Sequence, residues 1–167
     1  MDFDRLRSDI KSNSKKYSVI RDGAPLEVMP SRNIKLGDIV KVNGGEEFPC
    51  DLVLLASSNR DGHCHIQTAQ LDGETNMKKR TVLKGFEGLG EEKSVMKLFG
   101  AIRCDKPNEH LYKFQGRIEF EPSLDVSEKN QSSYPLTSDN LLLRGSILKN
   151  TKYVYGIATY VGKVLFF

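Results

Sequence analysis

Asp72-Gly73-Glu74-Thr75 is the stretch of this 167-residue chain whose residue types and spacing could do chemistry. Gly73 has no Cβ, so the backbone there can come close to another group. Asp72, Glu74 and Thr75 set two carboxylates and a hydroxyl around that point. Such a loop could hold one water in line with an electrophile, and a carboxylate that orients water is general-base machinery. The bland alternative is an Asp-Gly turn with two solvated acids, and four residues alone do not decide between them.

Other constellations carry less. His63-Cys64-His65 invites a metal. In a strand the two imidazoles share one face while Cys64 points away, and two ligands fall short of the four a structural zinc takes. Gly85-Phe86-Glu87-Gly88-Leu89-Gly90 reverses the spacing of a dinucleotide loop and has no βαβ unit around it, so it reads as a connector. No Walker A sequence occurs. Lys78-Lys79-Arg80 is the one basic cluster and reads as a solvated surface turn.

The elements that must position the loop are short and closely spaced. Phe3, Leu6 and Ile10 fall on one helical face, predicting a helix over 2–12. Tyr17–Ile20 reads as a strand, Arg21-Asp22-Gly23 as the turn of a tight hairpin, and Leu26–Met29 as its return. Strands follow at Ile39–Val42, Asp51–Ala56 and His63–Thr68, with turns at Leu36-Gly37-Asp38, Asn43-Gly44-Gly45 and Asn59–Gly62. The chemical loop then lies directly after a strand. Val95, Met96, Leu98, Phe99 and Ile102 predict a helix over 91–102. Tyr112–Phe120 returns to strand, with Phe114, Ile118 and Phe120 on one face. Residues 121–139 are polar, rich in Ser, and contain Pro122 and Pro135, which predicts a surface loop. Leu141–Leu143 and Lys152–Tyr160 close the body. The expected fold is mainly β, a distorted jelly-roll or sandwich, with a short N-terminal helix and one or two more helices.

Size suits one domain with its own core. Hydrophobic residues make up 38% and charged residues 28%, and the net charge of +3 is too small to imply nucleic acid. Cys50, Cys64 and Cys104 are odd in number and fit no zinc or redox spacing, which favours a reducing compartment. No apolar run approaches the roughly 20 residues of a membrane span, so the chain as given reads as soluble. The apolar end Val164–Phe167 suggests either a fragment of something longer or a docked strand.

The wider context of the loop bears a resemblance. Ile34–Val42, Phe48–Leu55, Gly62, Thr68, Leu71-Asp72-Gly73-Glu74-Thr75-Asn76 and Leu142–Thr151, continued by Tyr153–Ile157 and Tyr160–Gly162, resemble in series the actuator domain of P4-type ATPases, the phospholipid flippases. The likeness spans roughly residues 2–164, and its Asp-Gly-Glu-Thr form is the flippase version; ion-pumping relatives usually carry Thr-Gly-Glu-Ser. Cys50 and Met77 stand where the family usually has Ala and Leu, both near-isosteric changes.

The resemblance implies an actuator domain over 15–162, preceded by a helical linker segment over 1–14 and followed at 163–167 by the start of a linker to a membrane helix. It implies that Glu74 orients water and takes its proton during hydrolysis of an aspartyl phosphate on another domain. Gly73 would permit close approach, while Asp72 and Thr75 would shape the loop and hydrogen-bond near the phosphate. The partners implied are the phosphorylation domain of the same polypeptide, membrane helices, a phospholipid substrate and an accessory subunit. ATP and Mg2+ would serve the parent protein, with no cofactor or metal in this fragment. The setting implied is the cytosolic side of a multi-pass protein of the plasma membrane, endosome or Golgi. No Asp-Lys-Thr-Gly phosphorylation motif is present, and Asp105-Lys106-Pro107 matches it only superficially, so the fragment alone is expected to be inactive. An actuator of a cation pump and a non-catalytic β-rich module remain the alternatives.

Overall fold

A computed structural model describes residues 14–104, 115–121, 133–159 and 164–167. The helix expected over 2–12, the aromatic start of the 112–120 strand and residues 122–132 lie outside the described residues. In chain order the elements are β1 (Lys16–Ile20), β2 (Glu27–Pro30), β3 (Ile39–Asn43), β4 (Leu52–Ser57), β5 (His63–Gln67), α1 (Ala69–Asp72), β6 (Lys78–Thr81) and α2 (Glu92–Met96). They continue as β7 (Gly100–Cys104), β8 (Gln115–Phe120), β9 (Ser133–Thr137), β10 (Leu141–Leu142), β11 (Ile147–Lys149), β12 (Tyr153–Ala158) and β13 (Val164–Phe166). The mainly β expectation holds, with three antiparallel sheets among the described residues.

The largest sheet runs β10-β4-β12-β3-β1-β2. All six residues of β4 are buried, which explains its unbroken apolar run Leu52–Ala56. β12 lies between β3 and β4 and bulges at Tyr155/Gly156. A side chain at Gly156 would stand 2.8 Å from Leu52 Cβ, so the bulge closes only around a glycine. A smaller sheet, β11-β5-β6, carries the loop of interest. It is tied to the large sheet by backbone bonds that run between residues 45–48 and 146–148. The third sheet runs β13-β7-β8-β9. Phe86 and Tyr134 pack on Phe120 with ring centroids 4.8 and 5.9 Å apart, fixing this sheet to the loop that follows β6.

Several local expectations change. Only Glu92–Met96 of the expected 91–102 helix is helical, and Gly100–Cys104 is a strand. Gly100 abuts the Glu119 carbonyl of β8, where no side chain fits, and Ile102 pairs with Ile118 across the ladder. Lys78-Lys79-Arg80 forms β6 rather than a turn. The polar 121–139 segment contains β9, whose Tyr134 and Leu136 alternate into the core. The hairpin turn at Asp22-Gly23 forms with positive φ at both residues, but pairing begins only at Val19 and Glu27, so the connection is wide. The apolar end at 164–166 docks along β7, and Phe167 packs on Phe120.

One buried carboxylate organises the turn into β3. Asp38, whose side chain is 4% exposed, accepts from Arg21 Nε at 2.9 Å, Arg21 Nη2 at 2.7 Å and the Lys35 amide at 2.8 Å. Removing it strands a half-buried guanidinium and an amide donor. Asp38→Ala is expected to lower the unfolding free energy by about 2–4 kcal/mol in urea titrations.

Candidate functional site

The loop starts from a rigid base. β5 pairs with β6 on one side and β11 on the other, so its end at Gln67 is held in register. Thr68 is buried, and its carbonyl accepts from the amides of Leu71 and Asp72 at 2.8 and 3.1 Å. The result is a single turn of helix, α1, which the sequence reading had missed between the strand and the loop. Gly73 caps it in the left-handed conformation, φ 75°, with its amide donating to the Ala69 carbonyl.

Asp72 is the hub. Its carboxylate accepts from the Thr68 hydroxyl, 3.0 Å from both oxygens, and from the Glu74 amide at 2.9 Å. It also accepts from Lys78 Nζ at 3.0 Å. The Glu74 amide, then Lys78 and Thr68, hold the Asp72 carboxyl below its ordinary pKa. Asp72 therefore stays ionised and keeps the turn closed through the neutral range.

Glu74 differs. Its side chain is 59% exposed, and among the described residues its one side-chain partner is Lys78 Nζ, 3.0 Å away. The two carboxylates raise the Lys78 ammonium above its ordinary pKa, so the cation persists. Thr75 is exposed, and its carbonyl accepts from Gln67 Nε2 at 3.2 Å. Gly73 has no other group within 4 Å of where a Cβ would stand. Leu71 and Met77 flank the tip and are half exposed, giving an acidic point an apolar rim.

The structure thus brings Asp72, Gly73, Glu74 and Thr75 together on one exposed tip, with different tasks. Asp72 is occupied in holding the loop, whereas Glu74, paired with Lys78 alone among the described residues, keeps most of its carboxylate side chain exposed. Sequence reading left Thr68 without a role and dismissed Lys78. Two signals pointed to them: Thr68 lies one helical turn before Asp72, and Lys78 follows Glu74 at the spacing of an opposite-charge pair.

The remaining candidates stay separate from this tip. His63 and His65 share a face of β5, as their alternation requires. Among the described residues no group of three or more His, Cys, Asp or Glu could hold a metal. Cys64 faces the core, and burial pushes its thiol up to about 12, so it is a packing residue. Gly85 and Gly88 have positive φ in successive turns of a connector.

Comparison with known proteins gives a consistent result. The family model for the P-type ATPase actuator domain matches residues 11–163. Probable phospholipid-transporting ATPase 5 of Arabidopsis thaliana is 38% identical over 96% of this chain and 12% of its own length. Phospholipid-transporting ATPase IH of Homo sapiens is 40% identical over 96% of this chain and 14% of its own length. The chain therefore spans only 12–14% of the length of such relatives as these.

The open space at Gly73 separates fold from approach. Gly73→Ala meets no clash, so its cost is the left-handed backbone alone, about 1–2 kcal/mol. Gly156→Ala adds a contact too close to Leu52 and is expected to cost more. Paired urea titrations of the two variants check this order.

Proposed function

The chain belongs to the family of P-type ATPase actuator domains, and on that premise we propose that its Glu74 loop drives hydrolysis of an aspartyl phosphate on another domain of the same polypeptide, in a protein that moves phospholipid. The observation that carries this reading is the state of Glu74: an exposed carboxylate at the tip of a loop whose shape another carboxylate, Asp72, maintains. A general base has to reach its proton with little reorganisation, and a loop already closed by Asp72 brings Glu74 there as a rigid unit.

The step balances simply. A water oxygen attacks phosphorus while Glu74 takes one of its protons. The bond between phosphorus and the aspartyl oxygen breaks, freeing the aspartate carboxylate and inorganic phosphate. Little covalent work falls to the protein in phosphoryl transfer, so positioning and charge supply most of the effect. Gly73 leaves the face beside Glu74 clear for the phosphoryl oxygens, and the exposed Thr75 hydroxyl is placed to hydrogen-bond near them. Asp72 acts through the loop rather than on the reacting atoms.

ATP and Mg2+ belong, in this reading, to other parts of the parent protein. Among the described residues no group of three or more His, Cys, Asp or Glu stands ready for a resident metal. Among the described residues no helix is long and apolar enough to cross a membrane. We place the domain on the cytosolic face, where rotation of the loop toward and away from the phosphorylated aspartate would pull on linkers to membrane helices. The names of the relatives favour phospholipid over cations as cargo.

The test uses the full-length parent. Glu74→Gln is expected to leave phosphorylation by ATP intact and to slow decay of the phosphoenzyme by about a hundredfold or more, read by chase of the acid-stable phosphate. Decay at the wild-type rate would overturn the role of Glu74. In the same assay Gly73→Ala is expected to slow decay by more than its small effect on stability explains.

A further inference from the structure

We propose that Lys78 is a positioning residue for this hydrolytic step: its ammonium bridges Asp72 and Glu74, sets where the Glu74 carboxylate lies, and offsets one of the two negative charges that the tip carries toward a phosphoryl group. The inference rests on the reading of Glu74 given above and extends it to a residue outside the loop.

Three observations carry it. The first is geometry: Lys78 Nζ lies 3.0 Å from Asp72 Oδ2 and 3.0 Å from Glu74 Oε2. Asp72 is already fixed by Thr68 and by the Glu74 amide, so it serves as an anchored point from which Lys78 reaches Glu74. The second is the base from which Lys78 projects. It is the first residue of β6 and pairs with Ile66 of β5, so its stem starts from a laddered backbone rather than from the loop. The third is the isolation of Glu74. Among the described residues nothing else holds its side chain, so without Lys78 the carboxylate would sample the rotamers of a free surface glutamate.

Charge points the same way. A phosphorylated aspartate is strongly anionic, and two uncompensated carboxylates would be repelled on approach. With Lys78 in place the three side chains sum to a single negative charge. An ammonium has three donors, and two of them are engaged by the Asp72 and Glu74 carboxylates. Ion pairs this exposed contribute little to folding stability, so the effect of Lys78 should fall on the chemical step.

The experiment is a phosphoenzyme chase in the full-length parent, comparing wild type, Lys78→Met, Lys78→Arg, Glu74→Gln and the Lys78→Met/Glu74→Gln pair. Lys78→Met is expected to phosphorylate normally, which also reports that it folds, and then to decay about ten- to a hundredfold more slowly. Lys78→Arg should recover most of the rate. In the Glu74→Gln background, Lys78→Met should slow decay by much less than it does alone, because the part of its effect that runs through Glu74 has nothing left to position. Should Lys78→Met fail to phosphorylate, Lys78→Gln is read by the same criteria. Trapping by Glu74→Gln together with wild-type decay of the Lys78 variant would overturn this inference and leave the role of Glu74 standing. Slowing that multiplies in full with Glu74→Gln, or an Arg variant as slow as the Met variant, would overturn it as well. Wild-type decay of Glu74→Gln itself would remove the underlying reading.

Discussion

The central constraint on this fold is that β12, formed late in the chain, fills the gap between β3 and β4. Both neighbours take the longer of their two ladders from it, and the main core gathers around the three. The bulge at Gly156 lets β12 approach Leu52 closely enough to close the sheet. Immediately before β12, residues 146–148 bond to residues 45–48 and place β11 against β5. The position of the candidate loop therefore follows from long-range closure, since β5 is oriented by a strand about eighty residues away in sequence.

Within the loop, acidic residues that look equivalent on paper are divided by their partners. Asp72 spends its carboxylate on three donor groups, and Glu74 on one. Hydrogen bonds to an ionised group are the stronger kind, so the shape of the turn is held at Asp72 while Glu74 remains available. The left-handed cap at Gly73 separates the two side chains and turns the backbone between them. Rigidity and availability thus sit close together in one loop, an arrangement that suits the proposed delivery to a separate domain.

Much of this was legible in the sequence. β1 to β5 were readable because their alternation or apolar runs are bounded by Gly and Asp turns, as at Asp22-Gly23 and Asp61-Gly62. The candidate tip was readable from Asp72–Thr75 only with the flanking segments to support it. What failed has physical causes. Leu98, Phe99 and Ile102 keep helical spacing, but Gly100 lies against a neighbouring carbonyl and the chain extends there. β9 hid in a Ser- and Pro-rich stretch because only Tyr134 and Leu136 face inward. β6 hid because three consecutive cations suggest solvent, although a partner strand on one side suffices to extend them. Lys78 was overlooked for the same reason, although its spacing from Glu74 marked one of its two carboxylate partners.

β6 also bears on self-association. It is the outermost strand of its sheet, a position that offers unpaired backbone groups to a second copy of the chain. Its far half is shielded, since Asn140 donates to the Thr81 carbonyl and Arg80 donates to that of Leu141. At the near half stand Lys78 and Lys79, and bringing two such edges together would force like charges into register. The lysines thus guard an edge beside the loop proposed to meet another surface, and their charge opposes strand pairing between two copies of the chain while leaving that edge open.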